Sequence, residues 1–253
     1  MSARLPESAD HAEGILNAVV PFSVAYEEFT LRGDANHGTA GSALLLHGAG
    51  ASARHKFSIL RNALAVRGVG MTCFDCIGHG ETGGDMAASS LASRTRQAQA
   101  VIAAHNVNEP LALFGFSMGA YNAIKLTQSH KVASLVLIVP GVFTPQAYEV
   151  PFGPQFSNII RRERSWSDTD AWDIVGNFSG RLLVIAAGND AVIPREIPER
   201  LVQSAHCATW KQLLVVPEAE HRHLFSLLLE QPNEFDATLD LISQCLGVSR
   251  KPG

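Results

Sequence analysis

A buried strand, a sharp turn and a helix follow one another between residues 111 and 126 of this chain. The strand is the apolar run Leu-Ala-Leu-Phe, and the helix pattern is Ala120-Tyr-Asn-Ala-Ile-Lys-Leu. Between them the sequence is Gly115-Phe-Ser117-Met-Gly119. Glycines at the two flanking positions permit a strained turn, because a Cβ there would crowd the strand and the helix. The pattern therefore predicts that Ser117 presents its hydroxyl at the end of a strand, as a candidate nucleophile.

An ordinary glycine-rich turn between a strand and a helix is the alternative explanation of this pentapeptide. The pentapeptide alone does not separate the two, but the strand before it and the helix after it favour the nucleophile. In that arrangement the backbone N–H of Met118 begins the helix. The positive end of the helix then faces any negative charge that develops beside Ser117.

The size and charge of the chain limit its class. It has 253 residues, 46% of them hydrophobic, so we predict one domain over residues 1–253 with one large core. A net charge of −4 with only 20 lysines and arginines provides no basic surface for nucleic acid. The polar, acidic start is unlike a signal peptide, and no apolar run approaches the ~20 residues that cross a bilayer. We expect a cytoplasmic protein that contacts neither nucleic acid nor membrane; a homodimer stays open.

Strand and helix patterns alternate along most of the chain. This alternation predicts an α/β fold, with a mostly parallel sheet and helices on both of its faces. An antiparallel hairpin within residues 24–38 precedes the alternating part. The predicted strands are 43–47, 70–75, 111–114, 132–139, 181–187 and 212–216, and the clearest helices are 89–106 and 232–246.

One long connection departs from this rhythm. About forty residues lie between the strand that ends at Val139 and the one that starts at Arg181, whereas a usual connection has about 2–6. We predict that residues 144–180 form a small helical cap beside the carboxyl edge of the sheet, with aromatic rings that shape a substrate pocket. The arginines of this segment are expected to be surface charge, with recognition of an anionic substrate as the alternative. The rings are Phe152, Phe156, Trp166, Trp172 and Phe178, and the arginines are Arg161, Arg162 and Arg164.

Polar residues follow directly after several strands, at the edge where open α/β sheets bind ligands. A serine hydroxyl is a weak nucleophile and needs a base that a carboxylate orients. His221, after the last strand, is the candidate base, and Asp190, after the preceding strand, is the candidate acid. The order Ser117, Asp190, His221 is the one expected with this type of turn. His223 is the alternative base.

Small residues after the first parallel strand, Gly48-Ala49-Gly50, allow a backbone N–H to approach a tetrahedral oxyanion. Such a loop would complement the N–H of Met118.

Cys73 and Cys76 are three residues apart in a predicted strand, and no second pair completes a zinc site. We interpret them as buried, inert thiols and expect no metal.

Five motifs in this order resemble the α/β-hydrolase superfamily, and they cover most of the chain. The resemblance implies the α/β-hydrolase fold, with a small helical cap after the strand ending near Val139. It also implies a triad of Ser117, Asp190 and His221, and oxyanion donors on Ala49 and Met118, with Gly50 as the alternative to Ala49. The motifs are Leu-Leu-Leu-His47-Gly-Ala-Gly50, Asp75-x-x-Gly78-x-Gly80-x-Thr82, Gly115-Phe-Ser117-Met-Gly119, Gly188-x-Asp190-x-x-Ile193-Pro194 and Glu220-His221.

From these residues we expect a serine hydrolase that cleaves a small-molecule carboxylic ester or thioester through an acyl-enzyme intermediate, without a metal or organic cofactor. Ser117 excludes the relatives that use an aspartate nucleophile, the dehalogenases and epoxide hydrolases. Two alternatives stay open. One is hydrolysis of a carbon–carbon bond or a lactone by the same triad, and the other is a non-catalytic ligand-binding module.

Overall fold

The computed structural model describes residues 18–105 and 109–248. Its eight strands form one sheet in the order β1-β2-β4-β3-β5-β6-β7-β8. The polar start of the chain, on which the absence of a signal peptide is predicted, lies outside the described residues. The strands are β1 (Val20–Tyr26), β2 (Phe29–Ala35), β3 (Gly41–Leu46), β4 (Val69–Phe74), β5 (Leu111–Phe116), β6 (Val132–Ile138), β7 (Arg181–Ala187) and β8 (Trp210–Val216).

The sheet is parallel except at one end. Strands β1 and β2 form an antiparallel hairpin, and β2 pairs antiparallel with β4. All pairs from β4 across to β8 are parallel. The predicted hairpin and the predicted mostly parallel sheet are both confirmed. The continuous apolar runs of β4, β6 and β7 follow from this arrangement, because helices cover both faces of these strands.

Helices of the described residues form a layer on each face of the sheet. The second, third, fifth and sixth helices contribute to the apolar core on one face, and the first, seventh and eighth contribute to the core on the other. The sixth and seventh helices, which have nine and seven residues, are not among the predicted elements. The helices are α1 (Ser58–Val66), α2 (Leu91–Ala104), α3 (Met118–Leu126), α4 (Pro154–Ile160), α5 (Ala171–Gly176), α6 (Glu196–Ser204), α7 (Leu224–Glu230) and α8 (Pro232–Leu246).

The segment 144–180 has two parts. Its first part lies against the N-terminal end of α2, where the N–H of Ala92 donates to the carbonyl of Tyr148. Its second part contains α5, which packs against α3 and α6 as a flanking helix of the sheet. Four of the five aromatic rings are buried in the core and Trp166 is half-buried, so these rings anchor the segment. Their part in a substrate pocket, and the limits of the cap, stay predictions.

None of the helices among residues 18–105 and 109–248 combines the length and the apolar character that crossing a membrane requires.

Candidate active site

The turn after β5 has the strained geometry that its glycines suggest. Ser117 has φ 52° and ψ −117°, a conformation that a residue with a side chain rarely adopts. A Cβ on Gly115 would lie 2.8 Å from the nitrogen of Ala120, and one on Gly119 would lie 2.6 Å from the carbonyl oxygen of His47. Glycine at both positions therefore lets β5, α3 and the end of β3 meet around Ser117.

Three polar side chains from separate loops form one hydrogen-bonded series. Oγ of Ser117 lies 2.9 Å from Nε2 of His221, and Nδ1 of His221 lies 2.8 Å from Oδ2 of Asp190. These residues follow β5, β8 and β7, whose carboxyl ends share one edge of the sheet. Because a carboxylate only accepts, Nδ1 of His221 carries the hydrogen, and Nε2 is left to accept the proton of Ser117.

The carboxylate of Asp190 is held in its ionised form. Burial raises its pKa, but hydrogen bonds from His221 and from the backbone N–H groups of Ile193 and Val192 outweigh burial and lower the pKa below its ordinary value. Both N–H groups donate to Oδ1 at 2.8 Å. Oδ2 is therefore left for the imidazole of His221, and the orientation of the ring is fixed.

The structure separates the two candidate histidines. His221 is buried and points to Ser117, with the ring of Phe116 6.2 Å away between centroids. The side chain of His223 is 67% exposed, and its Nδ1 lies 3.0 Å from a carboxylate oxygen of Glu220. Only His221 is therefore positioned to take a proton from Ser117.

The loop of residues 48–53, which follows β3, passes beside Ser117. A Cβ on Gly48 would lie 3.2 Å from Cβ of Ser117, so the backbone of the loop approaches the serine closely. Ala49 is exposed at this position. Met118 is the first residue of α3, and its N–H has no partner within the helix. The structure thus places the 48–53 loop and the start of α3, which carry the two sequence-predicted oxyanion donors, beside Ser117.

A buried ion cluster holds the far end of the 48–53 loop. The guanidinium of Arg54 contacts carboxylates of Asp34, Asp75 and Glu81, and Asp75 also accepts from the backbone N–H of Arg54 at 2.7 Å. Burial lowers the pKa of Arg54, but these carboxylates together raise it above its ordinary value. Asp75 of the second motif therefore ties the 48–53 loop to the loop after β4.

Sequence reasoning missed a second buried arginine. Arg94 of α2 is 1% exposed and donates to the carbonyl oxygens of His47 and Gly48. A signal for it exists in the sequence. Arg94 occupies the apolar stripe of α2 with Leu91, Ala98 and Val101, at spacings of three, four and three residues.

The thiols of Cys73 and Cys76 are buried, as predicted. Burial raises the pKa of Cys73 to about 12 and raises that of Cys76 above its ordinary value. Both therefore stay in the thiol form, which is a poor nucleophile.

Comparison with known proteins places these features in a family. The family model described as serine aminopeptidase, S33, matches residues 38–167, just over half of the chain. Uncharacterized proteins from two strains of Mycobacterium tuberculosis are each 30% identical over 188 residues. The match covers 73% of this chain and 64% of theirs, so the chain spans slightly less than two thirds of the length of these relatives.

Solved structures share the fold at low identity. The esterase Pf2001 from Pyrococcus furiosus is 17% identical with a TM-score of 0.66, over 96% of this chain and 97% of that one. The esterase EaEST from Exiguobacterium antarcticum is 18% identical with a TM-score of 0.67, over 89% and 100%. A thioesterase domain from the curacin biosynthetic pathway is 15% identical with a TM-score of 0.62, over 91% and 99%. The predicted α/β-hydrolase fold is confirmed.

Proposed function

This chain belongs to the serine aminopeptidase S33 family of α/β-hydrolases, and we propose that it cleaves a carboxylic ester or thioester through an acyl-enzyme on Ser117. One observation carries the proposal: the unbroken hydrogen-bonded series from Oγ of Ser117 through His221 to Asp190. The names of the esterase and thioesterase structures that share the fold give the substrate class its support.

The proposed acylation is a balanced proton and acyl transfer. Oγ of Ser117 bonds to the carbonyl carbon while Nε2 of His221 takes its proton. The carbonyl oxygen becomes an oxyanion, which accepts hydrogen bonds from the N–H groups of Ala49 and Met118. The carbon–oxygen or carbon–sulfur bond then breaks, and the leaving alcohol or thiol takes the proton from His221. Asp190 stabilises the imidazolium throughout.

The proposed deacylation repeats these steps with water. His221 takes a proton from water as the oxygen attacks the acyl carbon, and then returns it to Oγ of Ser117 as the acid leaves. The acyl group is expected to come from a small molecule. Carbon–carbon or lactone hydrolysis by the same residues, and ligand binding without turnover, are the outcomes against which the proposal is tested.

Fluorophosphonate labelling followed by mass spectrometry tests the nucleophile. We expect one adduct, on Ser117, and no adduct in Ser117→Ala. His221→Ala should lower kcat about as much as Ser117→Ala, by roughly 10⁴–10⁶-fold, because the members of a triad act as a unit. His223→Ala, the matched control two residues away, should keep most of the activity. An adduct elsewhere, no adduct, or the reverse order of the two histidine variants would show that the assignment is wrong.

A substrate panel tests the bond that is cleaved. The wild-type protein is compared on p-nitrophenyl esters and acyl-CoA thioesters of increasing chain length, with a lactone and a carbon–carbon substrate alongside. We expect turnover of an ester or a thioester that Ser117→Ala abolishes. Labelling of Ser117 with turnover of only the lactone or the carbon–carbon substrate would favour the alternative reaction.

A further inference from the structure

The guanidinium of Arg94 lies behind the start of the 48–53 loop, with almost no exposure to solvent. Its Nη2 donates to the carbonyl oxygen of His47, and to that of Gly48 at 3.2 Å. Its Nη1 lies 3.2 Å from Sδ of Met118, and its Nε lies 3.3 Å from Sγ of Cys76. One side chain therefore contacts the backbone that leads to Ala49 and the side chain of Met118, the two residues whose N–H groups are the proposed oxyanion donors.

The positive charge of Arg94 has no carboxylate partner within the described residues. Its hydrogen-bond partners there are two carbonyl oxygens and two sulfur atoms, its Nη2 also lies 3.2 Å from Nδ1 of His47, and no described carboxylate forms an ion pair with it. A guanidinium keeps its charge in proteins, and burial of a charge without a counter-ion is costly. The hydrogen bonds to the two carbonyl oxygens must therefore offset the cost of burying this charge.

The geometry of one peptide group connects this charge to the site. The carbonyl oxygen of Gly48 accepts from Arg94 and from Nδ1 of His47 at 2.7 Å. His47 has its hydrogen on Nδ1, because its Nε2 accepts from the N–H of Cys76 at 3.0 Å. In a trans peptide the C=O and the next N–H point in opposite directions. The N–H of Ala49 therefore points away from Arg94.

We propose that Arg94 is a positioning residue of the oxyanion hole. It orients the peptide between Gly48 and Ala49 so that the N–H of Ala49 faces the oxyanion, and its charge polarises that same peptide. The benefit grows as negative charge develops on the substrate oxygen, in a buried setting where fixed dipoles act strongly. This inference rests on the proposed function of Ser117.

Arg94→Met removes the charge and the donors while it keeps an unbranched apolar side chain in the core. Loss of one oxyanion donor costs about 10²–10³ in kcat. Arg94 acts only indirectly, through the N–H of Ala49, and His47 still holds the carbonyl oxygen of the same peptide. We therefore expect kcat to fall by about 10–100-fold. KM should change by less than about twofold, because the oxyanion exists only in the transition state. Arg94→Lys keeps a charge and should recover part of kcat.

The affinity for a trifluoromethyl ketone tests the oxyanion hole separately from turnover, because the ketone adds to Ser117 and places an oxyanion in the hole. We expect its affinity to fall by the same factor as kcat with p-nitrophenyl acetate. Gln97→Met is the matched control. Gln97 is a fully buried polar residue of the same helix, and it bonds the N–H of Ile77 at 2.9 Å, outside the 48–53 loop. Gln97→Met should keep both kcat and the affinity for the ketone.

Labelling of the wild-type protein by a fluorophosphonate separates the two claims. If Ser117 is not labelled, the proposed function is wrong and the inference is wrong with it. If Ser117 is labelled, and Arg94→Met keeps the wild-type kcat and ketone affinity or loses no more than Gln97→Met, only the inference is overturned. If Arg94→Met does not fold, Arg94→Lys decides. Lower kcat with a proportional loss of ketone affinity supports the inference, and wild-type values of both contradict it.

Discussion

Two buried arginines hold opposite ends of the 48–53 loop, and the groups that surround their charges differ. Arg54, directly after the loop, is surrounded by carboxylates of Asp34, Asp75 and Glu81. Arg94, behind the start of the loop, has carbonyl oxygens and sulfur atoms as partners. The Arg54 cluster also contains Arg61, which pairs with Asp34, so the charge of Arg54 is offset by carboxylates within the cluster and serves to anchor the backbone. The charge of Arg94 is directed through a peptide group toward Ser117.

This difference predicts that the two arginines divide stability and catalysis between them. Removing Arg54 leaves the buried carboxylate of Asp75 without its cation, whereas removing Arg94 leaves only neutral acceptors without a donor. Of the two arginines, only Arg94 contacts the peptide between Gly48 and Ala49, whose N–H is proposed to donate to the oxyanion.

Arg54→Met should give the largest loss of stability. We expect the free energy of unfolding to fall by about 3–5 kcal/mol, because the carboxylate of Asp75 stays buried without its partner. Urea denaturation measures this loss. Arg96→Met is the control, since Arg96 and Glu149 form an exposed pair with side chains 51% and 69% exposed, which is worth about 0–1 kcal/mol. Equal losses in the two variants would contradict the anchoring role of the Arg54 cluster.

Arg94→Met should be less destabilising than Arg54→Met. The carbonyl oxygens of His47 and Gly48 lose a donor, which costs about 1–3 kcal/mol, while the cost of burying an unpaired charge is relieved. Urea denaturation of Arg94→Met, compared with that of Arg54→Met, measures the change in the free energy of unfolding. A loss larger than that of Arg54→Met would show that Arg94 is chiefly a structural residue, and the contrast between the two arginines would fail.

Burial of His47 beside the charge of Arg94 should also make stability depend on pH. Burial and the neighbouring charge of Arg94 hold the pKa of His47 well below its ordinary value of 6.5. In the unfolded chain this histidine takes up a proton below 6.5, but in the folded protein it does not. The free energy of unfolding therefore falls with decreasing pH, by about 1.4 kcal/mol per pH unit for this one proton.

His47→Gln measures that contribution. Urea denaturation between about pH 6.5 and about pH 5.5 should give a shallower loss of stability in the variant than in the wild-type protein, since one fewer group takes up a proton on unfolding. His79 and His105, whose pKa values burial also lowers, leave part of the slope in place. Parallel slopes in the two proteins would show that His47 is protonated in the folded state.

The triad residues show what sequence analysis can predict, and the two arginines show what it cannot. Strands buried on both faces are continuous apolar runs, and polar residues after such strands share one edge, so Asp190 and His221 could be predicted from their positions. Arg54 pairs with Asp34, which is 20 residues earlier in the chain. That pairing depends on the sheet order, in which β2 joins β4 beside β3, and no local pattern encodes it.

The contacts of Arg94 are harder still to predict from the sequence, because its partners are backbone carbonyls and sulfur atoms. A backbone carbonyl has no identity in the sequence, so only the place of Arg94 in an apolar stripe could indicate burial. The aromatic residues of the segment 144–180 show the opposite difficulty. Rings that line a pocket and rings that fill a core have the same spacing and composition, and only the structure shows that Phe152, Phe156, Trp172 and Phe178 are buried in the core.

Arg164 completes the series as an exposed arginine with a carboxylate partner, and its removal should have the smallest effect. Its guanidinium donates to both carboxylate oxygens of Glu196 at 3.0 and 2.8 Å and lies 4.8 Å from the ring of Trp166. Its charge is therefore already engaged at the start of α6, and salt and water screen exposed pairs of this kind. Arg161 and Arg162 are exposed as well, so the prediction that the three arginines are surface charge agrees with their positions.

Replacing Arg161, Arg162 and Arg164 together by Gln tests it on two p-nitrophenyl esters, one neutral and one with an acyl carboxylate. We expect kcat/KM for each ester to stay within about twofold of the wild-type value, because screened surface charge contributes little to either substrate. Glu196→Gln, which frees the guanidinium of Arg164 from its partner, is the control and should also leave the ratio of the two values unchanged. A loss confined to the anionic ester in the triple variant, with a gain in Glu196→Gln, would instead show that these arginines recognise the substrate. In that case an exposed arginine would contribute to specificity while the buried Arg54 would not, and burial would no longer distinguish the arginines that serve the reaction.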